Sequence, residues 1–256
     1  MSSVRVIRAT ARVSDFLFRN VPPVYVALYD RYKRATEGDE IALIAQCVRP
    51  GNRVVDVGAN VGFYSAHLAR CVGPTGTVYA FEPGAENFAR LLARARVYRQ
   101  IHPVRAAVTD RDGTTDLHLS PDLNVDHRTY ATDEQRQKVT VDAISLDSFL
   151  RRGEVVDFIK MDIQGGEYAA LLGMRDVVAR SPTVRILMEL WPFVHERFGA
   201  GTRTLLSLLE SYGFVVRRMG SPDPGRRLSP DSPLPERDDP NHYFNVLCAR
   251  PETLPD

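Results

Sequence analysis

The stretch Val54-Val55-Asp56-Val57-Gly58-Ala59-Asn60-Val61-Gly62-Phe63-Tyr64-Ser65 leaves the fold little freedom. A β-branched apolar run stops at an acid, passes two glycines and opens into a helical pattern. It therefore reads as a strand, a tight turn and a helix N-terminus. In α/β proteins a nucleotide-like ligand sits at such a turn, against backbone N–H groups at the start of a helix.

The chain then alternates strands and helices, the pattern of a parallel sheet covered on both faces. Strands are expected at Arg53–Val57, Thr77–Phe81, Val104–Thr109, Val155–Met161, Thr183–Leu190, Phe214–Arg218 and Tyr243–Ala249, the last antiparallel. Val155–Met161 is nearly all apolar, as a strand buried on both faces requires. Glu86–Tyr98 carries Phe88, Leu91, Leu92 and Ala95 at helical spacing, and Glu167–Ala179 also reads as one helix.

Three segments depart from this alternation. Residues 1–45 hold apolar residues at helical spacing, broken by Pro22-Pro23, and are expected to form a helical cap ahead of a catalytic domain at 46–256. Asp112-Gly113 is a hairpin turn signal between two extended runs, and Asp116–Ser120 and Lys138–Ile144 read as antiparallel strands around a polar loop at 121–137. Residues 110–144 are thus an expected β-hairpin insertion. Residues 219–241 hold six prolines and many charges, and are expected to stay out of the core as an exposed loop.

A formal net charge of +1 argues against a nucleic-acid partner. No apolar run approaches membrane-spanning length. Residues 1–8 lack the apolar core of a signal peptide, although an Arg-rich, acid-poor start allows an organelle leader. Cys47, Cys71 and Cys248 are odd in number and widely spaced, the pattern of free thiols in a reducing compartment, so a cytoplasmic protein is expected. Lysine occurs only at Lys33, Lys138 and Lys160 in an arginine-rich chain, which singles out Lys160 in a strand leading to the site. The expected partner is a small-molecule acceptor, with a homodimer as an allowed assembly.

The glycine turn could serve two cofactor classes. A dinucleotide turn is usually Gly-x-Gly-x-x-Gly, so that backbone can approach a pyrophosphate. Here the second glycine of that fingerprint is missing, and Asp56, two residues before Gly58, would repel a pyrophosphate. An acid there suits a ligand carrying an ammonium group, as the methionine end of S-adenosylmethionine does. Glu82, in Phe81-Glu82-Pro83 at the end of the second strand, can accept both hydroxyls of a ribose.

Together with Ile159-Lys160-Met161-Asp162-Ile163-Gln164-Gly165-Gly166-Glu167 and Leu146-Asp147-Ser148 ahead of it, these motifs resemble the FkbM-type methyltransferases over about residues 45–195. The resemblance implies a class I methyltransferase sheet of order 3-2-1-4-5-7-6, with S-adenosyl-L-methionine as methyl donor. By matching position, Asp56, Gly58, Asn60, Gly62 and the neighbouring Tyr64 would line the methionine end, and Glu82 with Pro83 the ribose. Related folds often present an acid to the adenine at the end of the third strand. This chain offers Arg105-Ala106-Ala107-Val108 there, so Ala107 backbone and Asp110 are the candidates.

Candidates for the acceptor side belong at the carboxyl ends of the fourth and fifth strands. Lys160 and Asp162 lie two apart on a strand and share a face. Asp162 is the expected base or acceptor-orienting group, with Lys160 tuning it or contacting substrate. His195 is a second base candidate, because imidazole titrates near neutrality; otherwise it is an ordinary surface histidine. Asp162 and Glu189 could instead hold Mg2+, though no third ligand is evident. The expected reaction is O-methylation of a hydroxyl on a sugar, glycan or secondary metabolite. N-methylation of an amino sugar is the nearest alternative, and nicotinamide-dependent oxidoreduction a more distant one.

Overall fold

In the computed structural model, residues 14, 16–119, 137–220, 223–234, 238–240 and 242–254 are described. The leader expectation at residues 1–8 and all but the last residue of the 121–137 loop lie outside them.

Eleven strands occur among the described residues, eight of them in one sheet. β1 (Arg53–Val57), β2 (Thr77–Phe81), β3 (Ile101–Val104), β7 (Phe158–Met161) and β8 (Arg185–Leu190) run parallel. β11 (Phe244–Ala249) is antiparallel to both β8 and β9 (Val215–Arg218). With β10 (Arg227–Leu228) at the edge, the order is β10-β9-β11-β8-β7-β1-β2-β3. Read from β3, this is the expected 3-2-1-4-5-7-6 arrangement with one short strand added beyond it.

Side chains of a strand alternate between faces, so each strand feeds two cores. Val54, Val78, Ala80, Phe158 and Leu187 pack beneath α2 (Gly38–Cys47) and α3 (Phe63–Val72), against Ile44, Leu68 and Val72. Val55, Val57, Ile159, Met161 and Met188 meet Leu171, Val177, Leu205 and Leu209 on the opposite face. Asp56 and Lys160 are register partners on β1 and β7, on the same face as Val54 and Phe158. Both are 1% exposed. Two opposite charges thus sit side by side in the middle of the sheet. Ahead of it, α1 (Pro22–Thr36) starts at the expected proline break.

Four sequence expectations change. The third strand ends at Val104, and Ala107–Val108 forms a separate strand, β4, pairing with Ala143–Ile144 of β6 (Gln137–Ile144) in a second sheet. Pro103 is tolerated because β3 is an edge strand. β6 lies between β4 and β5 (Gly113–Leu119), so Asp112-Gly113 is a connection and not a hairpin turn; β5 and β6 form the hairpin. The Glu167–Ala179 helix splits into α6 (Glu167–Leu172) and α7 (Arg175–Arg180) around Gly173, where a Cβ would overlap the Thr109 carbonyl. The proline-rich segment also joins the core. Arg227–Leu228 is an edge strand, β10, on β9, and Leu228 and Leu234 are buried, 1% and 5% exposed. Two leucines among the prolines are enough to anchor it.

Candidate functional site

The turn after β1 is built by backbone bonding to β2. Gly58 and Ala59 N–H groups donate to the Phe81 carbonyl at 3.0 and 2.8 Å. Gly58 has φ 79°, and a Cβ there would overlap the Asp162 carbonyl, so the residue must be glycine. Asn60 has φ 52°, a region asparagine tolerates better than most residues, and its side-chain oxygen accepts from Val61 N–H at 2.7 Å. Gly62, φ 82°, faces Leu91 and Arg94 of α4 (Ala85–Val97). Its positive φ favours glycine, and the neighbours a Cβ would meet are side-chain ends.

Glu82 is 5% exposed, yet both its oxygens are engaged. Oε2 accepts from Asn60 N–H at 2.9 Å and Oε1 from Gly84 N–H at 2.8 Å. Burial pushes its carboxyl up to about 7, with the Gly84 and Asn60 bonds opposing, and burial also lifts Asp56 to about 6. A carboxyl that binds its proton more tightly folded than unfolded gives stability that falls as pH rises between its two pKa values. For Glu82 that window runs from 4.5 to about 7, worth about 3 kcal/mol. The ligand-free melting temperature is therefore expected to drop between about pH 5 and pH 8, and Glu82→Gln to flatten much of that slope. A pH-independent melt in the wild type contradicts this assignment.

Beside Glu82 lies a cleft of about 550 Å³, including its solvent-open part. Gly58, Asn60, Glu82, Ala107, Leu117 and Asp162–Gln164 line it. A buried carboxylate with fixed orientation and spare lone pairs suits two ribose hydroxyls. The apolar wall of Phe81, Ala107 and Leu117 suits a flat base. The lining thus fits the adenosine part of the implied donor. Leu117 and Asn87 also line the cleft, and sequence reasoning missed both. Leu117 is an apolar position on the insertion hairpin, and its role depends on that hairpin folding back over the cleft.

Other expected donor residues lie elsewhere. Asp110, beside Arg111 at 3.7 Å, is on the surface and not in the lining, whereas Ala107 and Pro83 are in it. Asp56 and Tyr64 are also absent from the lining. Asp56 accepts from the Ser65 hydroxyl beneath α3. The Tyr64 hydroxyl bonds Glu37 of α2's N-terminal flank, and its ring meets Lys160 Nζ at 5.0 Å and Lys33 Nζ at 5.6 Å.

A charged cluster occupies this face at the carboxyl end of the sheet. Lys160 Nζ, almost wholly buried, is 4.0 Å from Asp162 Oδ2 and donates to the Met161 carbonyl at 3.4 Å. Lys33, from α1, pairs with Glu37. Two of the chain's three lysines therefore meet over one tyrosine ring. Gln164, at φ 55°, donates through Nε2 to Asp162 Oδ1 and Glu189 Oε1, both at 3.0 Å. Burial alone would raise the Asp162 carboxyl, but Lys160, Lys33 and the Gln164 bond outweigh it and hold the group below its usual range. Among the described residues no three or more His, Cys, Asp or Glu side chains are grouped to hold a metal.

His195 is not a surface histidine. It is 1% exposed on α8 (Pro192–Phe198), with Nε2 3.7 Å from Glu167 Oε2, and burial lowers its pKa. Glu167 Oε1 in turn accepts from Gly165 N–H at 3.1 Å. His195 backs the Gln164-Gly165-Gly166 turn and is not part of the cleft lining.

Residues 56–216 match the family model described as Methyltransferase FkbM domain. The chain is 28% identical over 204 residues to the 31-O-demethyl-FK506 methyltransferase FkbM of Streptomyces tacrolimicus, covering 66% of this chain and 75% of that one. It is 37% identical over 113 residues to the protein-L-isoaspartate O-methyltransferase of Aeropyrum pernix, covering 40% and 43%. Among solved structures, one provisionally described as an rRNA-methylase from Clostridium thermocellum shares the fold. It has TM-score 0.50 at 13% identity and covers 83% of this chain and 93% of that one.

Proposed function

Because the chain belongs to the FkbM methyltransferase family, a family of S-adenosylmethionine-dependent methyltransferases, we propose that it methylates a hydroxyl of a small molecule. The observation that carries this reading is the position of Asp162. It lines the donor cleft and also bonds into the Lys160, Gln164 and Glu189 cluster beside it. One residue thus links the cleft to that buried cluster.

When bound, S-adenosylmethionine supplies an electrophilic methyl group on a sulfonium. The chain's own residues do the rest. Glu82, held by Asn60 and Gly84, receives the ribose hydroxyls. Gly58 leaves room for the Asp162 backbone to close the cleft. Asp162, kept ionised by Lys160 and Lys33, accepts a hydrogen bond from the acceptor hydroxyl and aims its oxygen. Positioning of this kind supplies a large share of the catalysis in an in-line displacement.

Incubating the protein with methyl-labelled S-adenosylmethionine and a matched panel of sugar alcohols and amino sugars tests the reading. Label is expected in an ether. Label confined to amines would replace this proposal with N-methylation, which the carboxylates Asp162 and Glu189 would also serve.

A further inference from the structure

Glu189 belongs to the same site, and the inference drawn from it rests on the function proposed above. It lies one residue from the end of β8, is 7% exposed, and is the register partner of Asn245, whose amide donates to Glu40 at 2.8 Å. Gln164 ties it to Asp162 through a single amide nitrogen, with two equal bonds of 3.0 Å. That nitrogen carries two hydrogens, one for each carboxylate, so the two acids are held at a fixed separation next to the cleft. The left-handed backbone of Gln164, φ 55°, is an uncommon conformation for a non-glycine residue, and it sets this bridge.

We propose that Glu189 takes the proton that the acceptor hydroxyl loses, while Asp162 holds that hydroxyl in place. The O–H bond breaks and its proton goes to a Glu189 carboxylate oxygen. The electron pair stays on the acceptor oxygen and forms the new bond to the methyl carbon. The carbon–sulfur pair returns to sulfur, discharging the sulfonium, and Glu189 later releases the proton to water.

The surroundings divide the work between the two acids. Asp162 is stabilised as an anion by Lys160 and Lys33, which makes it a good hydrogen-bond acceptor but a weak base. Burial, and then the Asp162 charge, push the Glu189 carboxyl well above the ordinary range. Lys160 and Lys33 oppose this and Glu167 adds to it. Tyr243, just ahead of β11, also feels the Glu189 charge. Two neighbouring acids driven apart in this way are a recurrent arrangement for proton transfer.

Infrared titration of the full chain reads Glu189 without any acceptor. The wild-type minus Glu189→Gln difference is expected to show a carboxyl that ionises at higher pH than an ordinary glutamate, with a lower midpoint in Asp162→Asn. With the acceptor found by methyl labelling, kcat/KM of the wild type should rise along the same titration. Glu189→Gln should lose that limb and about 10²-fold or more in rate, and Glu189→Asp should keep the limb at reduced rate. Calorimetry with S-adenosylhomocysteine is expected to give similar affinity in the wild type, Glu189→Gln and Glu189→Asp. A Glu189 that titrates like an ordinary glutamate, or a Glu189→Gln enzyme with an unchanged pH profile, overturns the proposal. Failure of the wild type to bind S-adenosylhomocysteine strikes the donor reading instead.

Discussion

Gly58→Ala is expected to destabilise the protein by about 3 kcal/mol or more and to abolish S-adenosylhomocysteine binding in whatever fraction folds. Two costs add at this position. At φ 79° a Cβ introduces backbone strain of about 1–2 kcal/mol. It would also overlap the Asp162 carbonyl and crowd the Ile163 side chain. A flexible side chain could swing aside, but a carbonyl at the end of a central strand moves only if Asp162 moves with it. Relief of the clash therefore moves Gly58 and Asp162 apart, and both line the cleft. Gly62→Ala is the informative control. Its φ is 82°, but its Cβ would meet the ends of Leu91 and Arg94 side chains, which can give way. It should cost less and leave binding measurable. Thermal melts and calorimetry decide the matter, and a Gly58→Ala protein that melts and binds like the wild type refutes the assignment.

Asp162→Asn is expected to lower turnover by about 10²-fold or more while changing S-adenosylhomocysteine affinity only a few-fold. Asparagine keeps the shape and can still accept from Gln164, so the turn should survive. What disappears is the negative charge that Lys160 and Lys33 surround. The acceptor hydroxyl then loses its charged partner, and Lys160 keeps Asp56, its register partner across β1 and β7, and Glu189 as carboxyl neighbours. Lys160→Met separates the two contributions. It should impair turnover through Asp162 and spare the donor cleft, whose lining does not include Lys160. Retention of near-full turnover in Asp162→Asn would remove Asp162 from the reaction and leave Glu189 to act alone.

Residues close in sequence told most about the donor side. Gly58 and Gly62 were visible because a turn between a strand and a helix needs positive φ, and Glu82 because it ends the strand beside that turn. The reasons were less visible. Gly62 answers to Leu91 and Arg94, residues of a helix that the local pattern does not mention. Asp56 reads as a ligand contact from its spacing, yet its strand position turns it under α3 toward Ser65 and Lys160. Asp110 is adjacent in sequence to the cleft wall but points to the surface, because the chain leaves the main sheet at Val104.

Hydrophobic periodicity, turn glycines and strand-end acids were enough to determine the α/β alternation, the strand order by resemblance and the buried strand-end carboxylate, Glu82, that lines the cleft. These features depend on neighbours within a few residues, where backbone geometry dominates. The acceptor side depended on which helices cover the sheet. Lys33 on α1, Tyr64 on α3, Lys160 and Asp162 at β7, and Glu189 on β8 become one cluster only when distant elements pack over one face. Burial there is what separates the behaviour of Asp162 from that of Glu189. Desolvation and through-space charge are properties of the packed chain, so only the tertiary structure distinguishes two acids that look alike in sequence.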